Sequence, residues 1–404
     1  MNAVGIDVSK GKSTVAVMRP YGEVVAAPYD VMHTKDNLSG LAAFLKKLDG
    51  ETRVIMEYTG RYYEPIAAAL CEAGVFVCVV NSLLIHGYGN NSIRTVKTDK
   101  KDAIKLANYG LSRWLELASY KPEDELRRLL KVCSRQYNQY VKMKVSLTNN
   151  LVALTDQTFP NVRKLFTSLP RKADGHEKWV DFYGKFWHCE CVRSLSENAF
   201  VEKYAKWCKR EGYRSSTAKA KQIYAAAGLY AGTLPSSDST KLIASQGVIQ
   251  LNAISETLAI LRAEMLNLAE RLPEYSVVMA MRGVGEVLGP QLMAEIGDVS
   301  RFQRKQSLVA FAGVDAPPFQ SGKYESKNRS ISKRGAPALR KTLFQVMACL
   351  LQTAPLDDAV YQFIDKKRSE GKHFYIYMMA GTNKFLRIYY ARVMEHLRAT
   401  DLVA

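Results

Sequence analysis

The sequence predicts an α/β domain followed by a larger region that is mainly α-helical. Short apolar runs of strand length, broken by two stretches with helical spacing, fill residues 1–80. Further along, apolar side chains recur every three or four positions through two long segments. A loop punctuated by Pro and Gly interrupts the last third of the chain. We therefore expect three parts, at residues 1–118, 119–272 and 273–404, with an insert at about 160–247.

The first part is predicted to form a β-sheet with helices packed on it. Strands are expected at residues 3–9, 13–18, 24–27, 53–57 and 75–80, and helices at 37–48 and 63–73. Three strands followed by helix, strand, helix and strand is the element order of a ribonuclease-H-like fold. The run at 75–80 is nearly all apolar, which predicts a buried strand in the centre of the sheet.

Four acidic residues of this part are candidates for a metal site. Asp7 interrupts an apolar strand, where a carboxylate is costly unless it is paired or bound to a cation. Glu57 ends another strand. Asp99 and Asp102 stand three apart on one face of a predicted helix that runs to about residue 108. Two strand acids and a helical pair that converge on one point form a site for Mg²⁺ or Mn²⁺ in phosphoryl transfer.

Each acid also has a structural interpretation when it is taken alone. Asp99 favours a helix N-terminus, and Asp7 fits a turn after a short strand. The opening Gly5-Ile-Asp7 also begins sugar kinases and actin-type ATPases. Those folds need a second Gly-rich phosphate loop, for which the sequence offers no convincing candidate. The four acids together favour the metal site.

The middle of the chain carries two helical heptad patterns. Apolar side chains spaced alternately by four and three run from Leu126 to Leu154 and from Leu251 to Leu272, after which Pro273 stops the helix. Long coiled-coil-like helices are expected. They pack either with each other as an antiparallel hairpin or across a dimer.

The insert combines aromatic and basic side chains. Trp179, Trp187 and Trp207 lie among lysines and arginines, a mixture typical of surfaces that stack unpaired bases. A small helical core with a charged surface has the same composition. His188-Cys189-Glu190-Cys191, with Cys208 downstream, has an unusual spacing for a zinc site, so ordinary thiols are expected there.

The last third contains two candidate contacts with a phosphate backbone. Gly283 and Gly285, ahead of a helix, fit a helix–hairpin–helix whose turn presents N–H groups to phosphate, although any tight turn between helices gives this pattern. The loop from Phe311 to Gly335 carries serines among basic side chains, and the latter include Lys323, Lys327, Arg329, Lys333 and Arg334. Such a loop holds a phosphodiester and offers hydroxyls to attack it. Taken alone, it is also what a solvated basic loop looks like.

The net charge favours a nucleic-acid partner. The 404 residues include 57 Lys and Arg against 39 Asp and Glu, which gives a net charge of +18 and a pI of about 9.4. No apolar run has the length of a membrane span, and no signal-peptide pattern opens the chain, so no membrane partner is expected. Seven scattered cysteines are typical of a reduced, cytoplasmic protein.

With these pieces in place, the chain resembles the transposases of the insertion-sequence one-ten family. The matching segments, in the family's order, are Gly5-Ile-Asp7-Val-Ser-Lys10, Glu57-Tyr-Thr-Gly60, Lys97-Thr-Asp99-Lys-Lys-Asp102-Ala103, Gly283-Val-Gly285, Glu295-Ile-Gly297, Phe311-Ala-Gly313, Ser321-Gly322 and Ser332-Lys333. They cover roughly residues 1–155 and 250–400, whereas the insert near 160–245 matches nothing that we recognise.

The resemblance implies an N-terminal domain similar to Holliday-junction resolvases and a helical C-terminal transposase domain. It implies that Asp7, Glu57, Asp99 and Asp102 form a metal-binding Asp-Glu-Asp-Asp tetrad and that Ser321 attacks DNA. Ser321 follows Phe-Gln where the family pattern has Tyr-Glu, so Ser326, which follows Tyr324-Glu325, is a second candidate. The implied partners are donor and target DNA, a structured guide RNA, and further subunits in a dimer or tetramer. The implied location is the cytoplasm of a bacterium or archaeon, at the nucleoid.

The sequence thus predicts a magnesium-dependent, RNA-guided serine recombinase that cuts and rejoins DNA during transposition. Two alternatives stay open: a junction-resolving nuclease that uses only the carboxylates and water, and a non-catalytic nucleic-acid-binding protein with a degenerate nuclease fold. A covalent protein–DNA adduct distinguishes the recombinase from both.

Overall fold

The structure, a computed structural model, describes residues 1–88, 98–230, 232–318, 320–321, 324–325 and 330–401. The chain divides into two compact units, Met1–Glu123 and Asp124–Ala404. The expected three-part division of the chain stays a prediction.

The first unit is an α/β layer structure whose elements follow the predicted order. It contains β1 (Asn2–Ser9), β2 (Lys12–Met18), β3 (Val24–Met32), α1 (Lys35–Lys46), β4 (Thr52–Glu57), α2 (Glu64–Glu72), β5 (Phe76–Val80), α3 (Ser82–Gly87) and α4 (Asp99–Ser112). The sheet order is β3-β2-β1-β4-β5. β1 is antiparallel to β2 and parallel to β4, and β4 is parallel to β5. This mixed sheet fits the ribonuclease-H-like arrangement.

The prediction of a central position for the strand at 75–80 was wrong. β5 lies at the edge of the five-stranded sheet. Its apolar character has another cause, because Val77 packs in the core on one face and Cys78 and Val80 in the core on the other. The backbone N–H of Tyr120 donates to the Val77 carbonyl at 2.7 Å, so a later segment of the chain covers part of the strand's edge.

The sheet separates two apolar cores. On one face, Val4, Ile6 and Met56 pack with residues of α1 and α2, including Leu41 and Ile66. On the other face, a core that includes Ala3, Ile55, Leu106 and Ala107 lies under α4. Successive residues of β1 therefore point alternately towards the α1/α2 face and the α4 face.

The second unit is mainly helical. Its elements are α5 (Glu125–Thr158), α6 (Lys178–Lys185), α7 (Glu190–Arg193), α8 (Glu197–Arg210), α9 (Thr217–Leu229), α10 (Asp238–Glu270), α11 (Tyr275–Met279), α12 (Leu288–Ile296), α13 (Lys305–Ala312), the hairpin strands β6 (Gln320–Ser321) and β7 (Tyr324–Glu325), α14 (Pro337–Thr353), α15 (Ala359–Ser369) and α16 (Phe374–Asp401). None of the described helices is long and apolar enough to cross a membrane.

The two long helices α5 and α10 pack against each other within the chain and run antiparallel. The Cys133 thiol lies 3.6 Å from the Leu261 carbonyl oxygen, while a Cβ at Gly247 would lie 3.0 Å from a methyl group of Leu151. Residues early in α5 therefore meet residues late in α10. Of the two predicted arrangements, the structure contains the antiparallel pair; a supercoil of coiled-coil type stays a prediction.

The aromatic residues of the insert form a helical core. Trp179, Phe182, Tyr204 and Trp207 are buried together, and the rings of Phe182, Tyr204 and Trp207 make T-shaped or tilted contacts with one another. Lysines of α8 such as Lys206 are exposed on the surface of this core. The aromatic composition of the insert is thus explained by packing, and these buried rings present no face to unpaired bases.

Candidate active site

The carboxyl ends of β1 and β4 bring Asp7 and Glu57 to the same edge of the sheet. The two strands are parallel neighbours, and their pairing runs up to the residues just before Asp7 and Glu57. Because side chains alternate along a strand, Asp7 faces the same side as Gly5, and Glu57 the same side as Ile55. Both carboxylates therefore lie on the α4 face.

Helix α4 runs antiparallel to β1 and begins beside the Asp7 end. A Cβ at Gly5 would lie 1.9 Å from the carbonyl oxygen of Ala103 and 2.5 Å from the nitrogen of Ala107. One turn further, a Cβ at Gly110 would lie 3.6 Å from the Cβ of Ala3. The helix thus passes along β1 from Gly5 towards Ala3, and only glycine at position 5 allows this backbone approach.

The first turn of α4 carries the other two predicted acids, Asp99 and Asp102. The Thr98 side chain caps the helix by accepting a hydrogen bond from the Lys101 N–H at 3.3 Å. The pKa of Lys12, the first residue of β2, is raised by its hydrogen bond and charge interaction with Asp30 and, to a smaller extent, by the charge of Asp99. The structure therefore places all four predicted acids towards one end of the α4 face.

The same face carries an acid that the sequence analysis missed. Asp7 pairs with Thr14 across β1 and β2, and Thr14 pairs with Asp30 across β2 and β3. Asp30 accepts hydrogen bonds from Lys12 Nζ at 2.9 Å and from Thr14 Oγ1 at 2.8 Å, and these bonds lower its pKa. β3 extends to Met32, past the predicted end at residue 27, so Asp30 lies within the strand and next to Thr14 on the α4 face. The sequence did contain a signal for this longer strand, because the polar Asp30 stands between the apolar residues Tyr29 and Val31, as in an alternating strand.

The oxygen donors at this end fit a hard divalent cation by their chemistry. Asp7, Glu57, Asp99 and Asp102 offer carboxylate oxygens, which Mg²⁺ and Mn²⁺ prefer. Within the described ranges, no group of three or more His, Cys, Asp or Glu side chains is gathered closely enough to hold a metal ion. The backbone thus brings the carboxylates to one end of the sheet, and the side chains stop short of a completed ligand cluster.

The second candidate element, the serine loop, is held at its base by a narrow neck formed by residues 311–315 and 332–336. Across the neck, the N–H of Ala336 donates to the Phe311 carbonyl at 2.8 Å, and the N–H of Ser332 donates to the Asp315 carbonyl at 2.8 Å. The Ser332 hydroxyl also donates to the Asp315 carboxylate. A backbone hydrogen bond and a side-chain hydrogen bond between the same two residues, Ser332 and Asp315, therefore close the base of the loop.

Two glycines make the neck possible. A Cβ at Gly335 would lie 2.3 Å from the Phe311 carbonyl oxygen, and Gly313 has a φ of +66°, which favours glycine. Arg340 of α14 donates to the Ala312 carbonyl at 2.9 Å and fastens the neck to the helix that follows. These contacts explain why the sequence has glycine at both positions.

Within the loop, Ser321 lies in a short antiparallel hairpin. Its backbone pairs with Tyr324, and Gln320 pairs with Glu325. Lys333 and Arg334 are exposed at the neck, and Lys333 adopts a positive φ of 54°. The other predicted loop residues, Lys323, Ser326, Lys327 and Arg329, lie outside the described residues.

The two glycines of the predicted helix–hairpin–helix have different surroundings. Gly283 has a φ of +77°, and a Cβ there would lie 2.8 Å from Cγ of Leu350 and 3.0 Å from the Val346 carbonyl oxygen. Gly283 is therefore needed for packing on α14. Gly285 is exposed with no atom within 4 Å of a Cβ, so packing does not require glycine at this position. A helix–hairpin–helix stays a prediction for this segment.

The His–Cys cluster of the insert has a structural role. His188 Nδ1 accepts a hydrogen bond from the Glu190 N–H at 3.1 Å, which assigns the proton to Nε2, and Nε2 donates to the Leu234 carbonyl at 3.1 Å. Both ring nitrogens are thus used within the protein. Cys189 and Cys208 are buried free thiols.

Comparison with known proteins identifies the class of this chain as a transposase. The DEDD transposase domain of IS110 matches residues 4–160, and a model described as "Transposase IS116/IS110/IS902 family" matches residues 275–362. The first range contains all four predicted acids, and the second contains the serine loop. The chain belongs to the IS110 family of transposases, as its motifs led us to expect.

Curated relatives match over most of their length. The chain is 24% identical over 345 residues to the pilin gene-inverting protein of Moraxella bovis. The matched region covers 85% of this chain and 80% of the relative. It is 23% identical over 368 residues to the uncharacterized 44.8 kDa protein of insertion element IS116 from Streptomyces clavuligerus, with 91% and 88% covered.

Among solved structures, the chain matches Thermus thermophilus RuvC at 16% identity and a TM-score of 0.23, covering 30% of this chain and 99% of that one. The same protein in complex with a Holliday junction substrate matches at 13% identity and a TM-score of 0.23, with 29% and 96% covered. Because these TM-scores are low, the fold of the first unit is described from its own sheet order and not from this likeness.

Proposed function

We propose that this transposase cuts and rejoins DNA through a covalent bond between Ser321 and DNA, with a divalent metal held by Asp7, Glu57, Asp99 and Asp102. The observation that carries the proposal is the placement of these four acids at one end of the α4 face, which the contact of Gly5 with Ala103 enforces. Phosphodiester chemistry with Mg²⁺ or Mn²⁺ requires carboxylates that converge on the cation, and the backbone brings these four to the same end of the sheet. When bound, the metal supplies Lewis-acid stabilisation of charge on the phosphate oxygens.

In the proposed reaction, the Ser321 hydroxyl oxygen attacks the phosphorus of one DNA phosphodiester. A bond forms between the serine oxygen and phosphorus, and the bond from phosphorus to one deoxyribose oxygen breaks. The serine proton passes to a base or to water, and the departing oxygen takes up a proton. Attack by the hydroxyl of another strand reverses these steps. The phosphoserine bond conserves the energy of the phosphodiester, so rejoining needs no ATP.

Basic residues of the loop are proposed to hold the phosphate during this exchange. Lys333 and Arg334 are exposed at the neck, next to the loop that carries Ser321, and their charges suit a phosphate backbone. Lys323, Lys327 and Arg329 are proposed to add charge next to the serine. The exposed Gly285 is proposed as a further phosphate contact through its N–H group, with Gly283 shaping the turn.

Donor and target DNA are the proposed substrates, and a structured RNA of the element is the proposed guide. The names of the Moraxella relatives describe proteins that invert a gene, which is a cutting and rejoining of DNA. A dimer or tetramer is proposed because two duplexes must be cut and exchanged together. Guidance by RNA rests on the family resemblance.

Metal-dependent cleavage tests the carboxylate half of the proposal. Asp7→Asn should abolish strand cleavage of DNA that carries the element's ends while leaving DNA binding within a few-fold of the wild type. Asp36→Asn is the matched control, because this exposed acid of α1 lies on the opposite face of the sheet and should retain full cleavage. EDTA should abolish cleavage by the wild type.

Cleavage by Asp7→Asn at the wild-type rate, or full cleavage with EDTA present, would contradict the metal site. Cleavage that depends on metal but never yields a covalent adduct would identify a hydrolytic, junction-resolving nuclease. Binding without any cleavage, in a complex purified with its own nucleic acids, would identify a non-catalytic binding protein.

A further inference from the structure

An exposed aromatic cluster lies at the start of α16, a helix that buries its later large rings. Phe374 and Tyr375 are 42% and 61% exposed, whereas Phe385 and Tyr389 of the same helix are fully buried. Phe344 of α14 completes the cluster. We call Phe344, Phe374 and Tyr375 the aromatic platform. Large rings left in contact with water are typical of a binding surface.

The rings of the platform support one another. The ring centroids of Phe374 and Tyr375 lie 5.3 Å apart, and Phe344 lies 6.0 Å from Phe374 and 6.2 Å from Tyr375. Phe374 also contacts Tyr377, a buried residue one turn further, at 5.5 Å. The platform therefore has a fixed shape, because its inner side is packed against the core.

The surroundings of the platform are basic. The preceding segment, residues 365–372, contains four cations (Lys366, Lys367, Arg368 and Lys372) and two acids. Glu370 pairs with Lys367 at 2.6 Å, and Asp365 pairs with Arg368 at 3.8 Å. On α14, Lys341 is exposed one turn before Phe344 and on the same face of the helix. Exposed rings among cations are suited to bases and phosphates together, and they suit an apolar protein surface less well.

Helix α14 connects the platform to the serine loop. It begins at Pro337, directly after the neck, and Pro337, Lys341, Phe344 and Ala348 follow one face of the helix. At 1.5 Å per residue, Phe344 lies about 10 Å along the helix from Pro337. That distance corresponds to about three base steps of 3.4 Å in a DNA strand.

We infer that the aromatic platform stacks unpaired bases of the DNA strand whose phosphate is held at the serine loop. The inference rests on the proposed function, since a strand that leaves one duplex for another has unpaired bases near the cut. In a duplex the faces of the bases are stacked on each other, so the platform discriminates between single-stranded and duplex DNA.

The test measures binding of a fluorescent single-stranded DNA oligonucleotide and of a duplex of the same sequence. The double variant Phe374→Ala/Tyr375→Ala should bind the single strand at least about fivefold more weakly, the effect expected for the loss of one stacked base. Duplex binding should change less than twofold. The slope of binding constant against salt concentration should stay the same, because no phosphate contact is removed.

Two control variants separate stacking from general damage. Tyr375→Phe keeps the ring and should bind as the wild type does. Leu356→Ala removes an exposed apolar side chain of the same unit, outside the platform, and should also bind normally. Near-ultraviolet circular dichroism of all variants should match that of the wild type.

Equal weakening on single strand and duplex, or no weakening on either, would overturn the inference. Weakening confined to an RNA oligonucleotide of the same sequence would assign the platform to RNA. Loss of oligomers with normal DNA binding would assign it to a second copy of the chain, and both results would overturn the DNA assignment. Binding needs no cleavage, so the platform stands or falls separately from the serine chemistry.

Discussion

At the scale of single residues, Gly5 determines where the carboxylates of α4 lie. Any side chain at this position meets the backbone of Ala103 and Ala107, which cannot rotate away as a side chain does. The helix must then move off the sheet and carry Asp99 and Asp102 with it. The arrangement of the proposed tetrad is thus set by a residue that bears no functional group.

Gly5→Ala should destabilise the first unit by about 1–3 kcal/mol or more and abolish cleavage, because the added methyl group overpacks the contact with α4. Urea unfolding and a cleavage assay measure the two effects. Gly40→Ala in α1 is the matched control, since no atom lies within 4 Å of a Cβ there. It should be neutral or stabilise by up to about 1 kcal/mol. Full cleavage by Gly5→Ala would contradict the described position of α4.

At the scale of elements, a buried ion pair joins the start of α5 to the N-terminus of α11. Arg127 Nη2 lies 2.9 Å from Glu274 Oε2, with a second bond from Nη1 to Oε1, and the side chains are 7% and 2% exposed. Nearby, the Tyr389 hydroxyl has no hydrogen-bond partner among the described residues. Its burial raises the pKa of the phenol.

Arg127→Met should destabilise the second unit by about 3–5 kcal/mol, because it leaves the Glu274 carboxylate buried without its partner. The double variant Arg127→Met/Glu274→Leu should recover most of this loss. Arg282→Met removes an exposed pair with Asp357 and should cost at most about 1 kcal/mol. Urea unfolding compares the three. If Arg127→Met were as stable as Arg282→Met, the buried ion pair would not be needed for the stability of the second unit.

Local periodicity explains why the elements were predictable. The apolar spacing in α4, α5 and α14 indicates a helix with one buried face, and this spacing is the same whichever element the helix packs against. The placement of Asp7 and Glu57 on one face also follows from alternation along parallel strands. These properties depend on residues close together in the chain.

Contacts between distant residues were not predictable in this way. Arg127 and Glu274 are 147 residues apart, and nothing near either of them signals the other. Asp30 lies on the same face of the sheet as Asp7 only because of the register between the strands. The edge position of β5 depends on which strands pair, and the aromatic residues of the insert gave the same composition for a core as for a binding surface.

At the scale of the whole molecule, assembly is the next requirement of the proposed reaction. With its buried side packed against α10, helix α5 still exposes Leu129 and Val132, which are 50% and 49% exposed and lie three residues apart. Met143, two heptads after Leu129, is also exposed. We propose this stripe as a contact between subunits.

Leu129→Lys/Val132→Lys should reduce the mass of the active complex in light scattering and lower recombination at least tenfold. Thermal stability should change little, because both side chains are already exposed. Leu356→Lys is the control for an added charge at an exposed apolar site and should assemble normally. An unchanged complex mass for the double variant would exclude this stripe, and one subunit per active wild-type complex would contradict assembly altogether.

The central claim, a covalent serine intermediate, is tested most directly by mapping the protein–DNA adduct. The complex is purified with its own nucleic acids, reacted with labelled DNA that carries the element's ends, denatured and analysed by mass spectrometry. We predict a nucleotide attached to Ser321, none in Ser321→Ala, and a normal adduct in Ser330→Ala, which removes an exposed serine of the same loop. An adduct at Ser326 would move the nucleophile within the loop. Recombination without any adduct, or normal recombination by both Ser321→Ala and Ser326→Ala, would contradict the claim.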